Sequence, residues 1–114
     1  MKDIRKIKTE QELNDILDNA GKKVVLLKFS ANWCGPCRVY GQNLENLSEK
    51  IWDKLIVAEV DVDEATDMSL KYNIRNIPNS LFFIDKNLKE NNVGLLTIHE
   101  IEETVERIYG EQWK

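Results

Sequence analysis

Two stretches of the chain are almost unbrokenly apolar, Val24–Phe29 (VVLLKF) and Leu55–Val62 (LIVAEVDV). Runs of that length with little alternation predict strands covered on both faces. Between and around them the apolar spacing changes to the helical one. Thr9 and Glu12 have capping-box spacing ahead of Leu13, Ile16 and Leu17, and Gly21 supplies a stop, so this segment reads as a helix. From Cys34 to about Ile51, Leu44, Leu47 and Ile51 lie on one helical side. EATDMSLKY, residues 64–72, reads as a short helix. SLFFI and LKENNVGLL then read as a hairpin around Asp85, Lys86 and Asn87. Thr97 and Glu100 cap a last helix that turns Ile101, Val105 and Ile108 inward. A weak strand at Asp3–Ile7 precedes all of these.

Strands alternating with helices imply parallel crossovers, and the closing hairpin adds antiparallel strands. The expected fold is therefore α/β: a mixed central sheet of about five strands flanked by about four helices. At 114 residues the chain has the size of one domain, residues 1–114, with a tail expected after about residue 110. Cys34 falls at the carboxyl end of the first buried strand, where open α/β sheets place their sites.

Charge and composition narrow the function. A net charge of -4 disfavours a phosphate-neutralising surface, so nucleic acid is not an expected partner. No apolar run approaches the roughly 20 residues of a membrane span. The N-terminal MKDIRKIKTE lacks the apolar middle of a secretory signal, which makes the cytoplasm the expected compartment. Two cysteines are too few for a stapled secreted scaffold.

Cys34 and Cys37 are separated only by Gly35 and Pro36. As a structural staple such a short loop stabilises by only roughly 2 kcal/mol. A structural zinc site needs two further ligands, which the single histidine, His99, does not supply within one chain, so no metal is expected. A redox role accounts for more residues. Cys34 stands at the N-terminal edge of its helix, where free N–H groups and the helix dipole favour the thiolate that attacks disulfides. Pro36 suits the first helical turn, and Gly35 leaves room for a substrate chain. Cys37, one turn on, is placed to resolve a mixed disulfide on Cys34. Trp33 either contacts substrate or packs on the helix.

WCGPC at Trp33–Cys37 and NIRNIP at Asn73–Pro78 resemble the thioredoxin family, over about Lys6–Gly110. The resemblance implies a cis peptide bond before Pro78, facing the cysteines, and a substrate strand pairing with the backbone of Ile77. It places Gly94 on the rim of the same groove. Trp33, Ile77, Pro78, Val93 and Gly94 then form the docking surface, although Val93 also fits a plain strand residue. The implied activity is reduction of protein disulfides, with the electrons carried by the dithiol and no bound cofactor. The implied partners are disulfide-containing proteins and an electron donor of the thioredoxin-reductase kind, for a monomeric protein. The competing reading is a non-catalytic binding module of the same fold, docked on a larger protein.

The chain departs from the family at two charged positions. Where thioredoxins usually carry a buried aspartate beneath the second cysteine, this chain has Lys28, and where they often carry a lysine in the next strand it has Glu59. Neighbouring parallel strands let the two meet, so they read as a reversed ion pair and as candidates for the chemistry. Glu59, or a neutral Lys28, then substitutes as the proton relay; a charged Lys28 instead favours the thiolate; and a Lys28 that snorkels to the sheet edge does neither. Gln42, Asn79 and Ser30 also differ from the commoner residues, and are expected to affect helix straightness and partner choice rather than the dithiol. His99 reads as exposed, Asp61–Asp67 (DVDEATD) as a solvated loop and helix start, and Trp113 has no assigned role.

Overall fold

A computed structural model describes residues 2–113. Its elements are β1 (Ile4–Ile7), α1 (Glu10–Asp18), β2 (Val24–Ser30), α2 (Gly35–Glu45), α3 (Glu49–Trp52), β3 (Leu55–Asp61), α4 (Thr66–Lys71), β4 (Asn79–Ile84), β5 (Asn87–Val93) and α5 (Ile98–Glu111). The five strands form one sheet in the order β1-β3-β2-β4-β5. β1, β3 and β2 are mutually parallel, whereas β4 runs antiparallel to both β2 and β5.

The continuous apolar run of β2 has its reason in this order. β2 is the central strand, every one of its seven residues is buried, and a core lies on each face. On one face Leu26, Val57 and Phe82 pack with Tyr40 and Leu44 of α2 and Ile101 and Val105 of α5. On the other, Leu27, Ala58 and Leu81 pack with Leu13 and Ile16 of α1 and Met68 of α4. Alternation along β2 thus sends even-numbered residues toward α2 and odd-numbered ones toward α1. Lys28 belongs to the first set.

Both capping boxes form, at Thr9 with Glu12 and at Thr97 with Glu100. Two boundaries differ from the sequence expectation. The single helix expected from Cys34 to Ile51 is divided, giving five helices. Asn46 turns its N–H and side-chain amide back onto the Gln42 carbonyl, and Ser48 caps a new short helix at the Ile51 N–H. The hairpin turn is two residues, Asp85 and Lys86, both at positive φ (51° and 67°), which matches the twist of the strands it joins; Asn87 already pairs with Ile84. At the C-terminal end α5 runs through Gly110 to Glu111. Beyond it Trp113 packs edge-on against Tyr109, and the Lys22 ammonium lies 4.8 Å from the Trp113 ring.

Candidate active site

α2 opens at the carboxyl end of β2, with Cys34 as its N-cap. The cap is a sulfur. Cys34 Sγ accepts from the Cys37 N–H at 3.2 Å, so one of the orphan donors of the first turn is aimed at the atom that must carry negative charge as a thiolate. No acidic residue occupies that turn, and Pro36 fills a position that has no helical N–H partner. Cys34 and Cys37 are joined in a disulfide with their Cα atoms 5.2 Å apart. Cys37 is 1% exposed and Cys34 5%, and the pair packs with Ala31, Val62 and Ile77.

Pro78 lies where β4 begins, after a cis Ile77–Pro78 bond. Its carbonyl accepts from the Gly94 N–H at 2.8 Å, which ties the rim of β5 to the proline. Gly94 has φ +100°, a conformation that a side chain strains. Val93, one position earlier, is exposed and pairs in register with Asn79. Ile77 is half-buried against the cysteines, Trp33 is exposed beside them, and a Cβ added at Gly35 would meet nothing within 4 Å. The structure therefore brings together the cysteines, Ile77, Pro78 and Gly94, with an open approach over Gly35.

Two further contacts shape the site. The Trp33 indole N–H donates to Asp63 Oδ2 at 2.8 Å, and the Asp63 N–H is itself held by Asp61 Oδ1 at 2.8 Å. Part of the acidic stretch read as a solvated loop thus orients the tryptophan. The second is a bond of 2.5 Å between the buried Tyr40 hydroxyl and Ser80 Oγ, which joins α2 to β4 two residues beyond Pro78. Burial pushes the Tyr40 phenol up to about 12, against a smaller opposing effect of the Ser80 bond. Neither pair carries a sequence signal, since the partners are 30 and 40 residues apart.

Lys28 and Glu59 are direct register partners across β2 and β3. Lys28 Nζ lies 3.0 Å from Glu59 Oε2 and donates to the Cys37 carbonyl oxygen at 3.1 Å. It also sits 5.5 Å from the centre of the Tyr40 ring. The lysine side chain is 3% exposed, so it does not snorkel; the glutamate, at 22%, is the end nearer solvent. Both line a cleft of about 320 Å³ that also reaches Cys34 and Cys37. His99 is exposed, 3.5 Å from Glu103 on its own helix. Among the described residues no group of three or more His, Cys, Asp or Glu is arranged to hold a metal.

The family profile "Thioredoxin" matches residues 5–107. The chain belongs to the thioredoxin family. A thioredoxin of Mycoplasmoides gallisepticum is 37% identical over 100 residues, covering 88% of this chain and 97% of that protein. The thioredoxin of Pongo abelii is 31% identical over 105 residues, with 92% and 98% covered. Among solved structures, a variant thioredoxin from Halobacterium salinarum superposes with a TM-score of 0.83 at 30% identity, covering 95% of this chain and 92% of that one. Family membership and the bonded Cys34–Cys37 pair together make the protein a thiol–disulfide oxidoreductase that reduces protein disulfides. The five-stranded mixed sheet is the thioredoxin fold.

Proposed function

We propose that Cys34 is the attacking thiol and Cys37 the resolving one. The observation that carries this assignment is the position of Cys34 as N-cap of α2, its sulfur accepting from the Cys37 N–H, with Gly35 and Pro36 exposed above it. Cys37 is more deeply buried and meets a disulfide only after Cys34 has captured it. The substrate strand lies across Ile77, Pro78 and Gly94, with Trp33 and Val93 on its flanks. The electrons reside in the dithiol and no bound cofactor is required. A reductase of the thioredoxin-reductase kind returns the disulfide to the dithiol, and a monomer in the cytoplasm suffices for the cycle. No described helix is long and apolar enough to cross a membrane.

The competing reading is a docking module with incidental cysteines, favoured by the departure from the family at Lys28. That support weakens once Lys28 is seen paired rather than stranded. Insulin reduction followed by turbidity tests the assignment. The intact protein precipitates the insulin B chain and Cys34→Ser does not. Cys37→Ser loses turnover yet accumulates a mixed disulfide with substrate, detectable by mass. Trapping through Cys37 in Cys34→Ser would reverse the two roles, and an inactive intact protein would favour the docking module.

A further inference from the structure

We infer that the Lys28–Glu59 pair is an electrostatic device acting on Cys37, its cationic end favouring the resolving thiolate and its anionic end moderating that effect. The inference rests on the oxidoreductase reading and concerns how its second step is driven. Its basis is the direction of the pair. The ammonium is the inner end, bonded to the carbonyl of Cys37 itself, while the carboxylate is displaced toward solvent on the neighbouring strand. A charge held in that surround is poorly screened and acts strongly on a thiol of the same residue.

In the step concerned, the Cys37 thiolate attacks Cys34 Sγ in the mixed disulfide. The Cys34–Cys37 bond forms as the bond from Cys34 to the substrate sulfur breaks. The electron pair leaves with the substrate thiolate, which takes a proton from water. The proton lost earlier by Cys37 has gone to water in the cleft that the pair lines. Lys28 makes that prior ionisation easier and transfers no proton, so it is a positioning residue. Other charges face the same space. Arg38 and Glu45 of α2 line the cleft, and Glu59 shares a second one with Lys6, Lys8, Asp61 and Glu64. They are common to every variant below. Tyr40 stays neutral across the working range.

The two members of the pair have opposite signs, so their removal must act in opposite directions. Reduced wild type, Lys28→Met and Glu59→Gln are mixed with a chromogenic aryl disulfide in a stopped-flow instrument. The first equivalent of aryl thiolate reports attack by Cys34, the second resolution by Cys37. Lys28→Met moves the pH midpoint of the second phase upward by about one unit, and Glu59→Gln moves it downward. At about pH 9, where an ordinary cysteine is largely ionised, the equilibrium with glutathione shifts about tenfold toward the disulfide in Lys28→Met. It shifts toward the dithiol in Glu59→Gln. Shifts in the same direction, or none beyond threefold, overturn the inference. A slower, alkaline-shifted second phase in Glu59→Gln overturns it too, by making Glu59 the base that accepts the Cys37 proton. If circular dichroism shows Lys28→Met unfolded, the downward shift in Glu59→Gln decides alone. Failure of the first phase in wild type would instead refute the assignment of Cys34.

Discussion

Tyr40→Phe isolates one buried hydroxyl beneath the cysteine helix, and alkaline unfolding reads it directly. Tyr40 is fully buried, its hydroxyl bonded to Ser80. Its phenol is pushed from 10.0 to about 12 because burial penalises the charged form. The native state therefore holds the proton more tightly than the unfolded chain does. A folded value raised in this way contributes stability fully present below about pH 10 and lost as the pH climbs toward about 12. That gap corresponds to roughly 3 kcal/mol at most, since one pH unit is about 1.4 kcal/mol. Tyr72, raised to about 12 chiefly by burial and then by Glu10, adds a decline over the same range. Urea unfolding of the oxidised protein at a series of pH values would measure both. Wild type should lose stability between about pH 10 and 12, and Tyr40→Phe should lose less, by about 2 kcal/mol. At neutral pH the variant should cost about 1–3 kcal/mol, for the lost bond and the stranded Ser80 hydroxyl, while insulin reduction persists. Equal alkaline losses in the two proteins would refute the reasoning.

Other substitutions test the scaffold at separate points. Leu44→Ala empties a fully buried position between α2 and the sheet and should cost about 2–5 kcal/mol in urea unfolding, with the active-site thiols still titratable. Asp63→Asn removes the charged acceptor of the Trp33 indole; KM for insulin should rise about twofold to fivefold while stability changes by less than about 1 kcal/mol. Gly94→Ala forces a side chain into φ +100°, which should cost about 1–3 kcal/mol and weaken capture of substrate by Cys37→Ser, seen as a lower yield of mixed disulfide.

Much of this architecture is written locally in the chain. The double-sided burial of β2 follows from VVLLKF, and both capping boxes from threonine and glutamate three residues apart. The break between α2 and α3 is hidden because Leu44, Leu47 and Ile51 keep helical spacing across it. Only the competing polar groups of Asn46 and Ser48 end one helix and start the next. Gly110 looks like a stop, yet Ile108 inside the core and Trp113 against Tyr109 and Lys22 hold the last turn. Tertiary packing there outweighs a cost of about 1 kcal/mol for glycine in a helix. In the site, the cysteine pair is legible because its chemistry lives within four residues. The Trp33–Asp63 and Tyr40–Ser80 contacts are not, because loop placement and cross-sheet packing alone create them.

The reversed charge pair falls between these cases, and its register explains why. Two adjacent parallel strands, one carrying Lys28 and the other Glu59 with Asp61 at its end, leave few alignments in which Lys28 is not stranded. The observed one sets Lys28 opposite Glu59. What the sequence does not disclose is the third partner. A carboxylate at position 28 would be an acceptor facing the acceptor oxygen of Cys37, with no proton to place between them. Lysine has three donors, and it spends one on Glu59 and one on that carbonyl. The exchange of sign therefore does more than invert a dipole. It replaces an acceptor with a direct hydrogen bond from the centre of the sheet to the backbone of the resolving cysteine. Lys28 and Glu59 are thus coupled to the helix that carries the chemistry, and neither can be altered as an isolated surface charge.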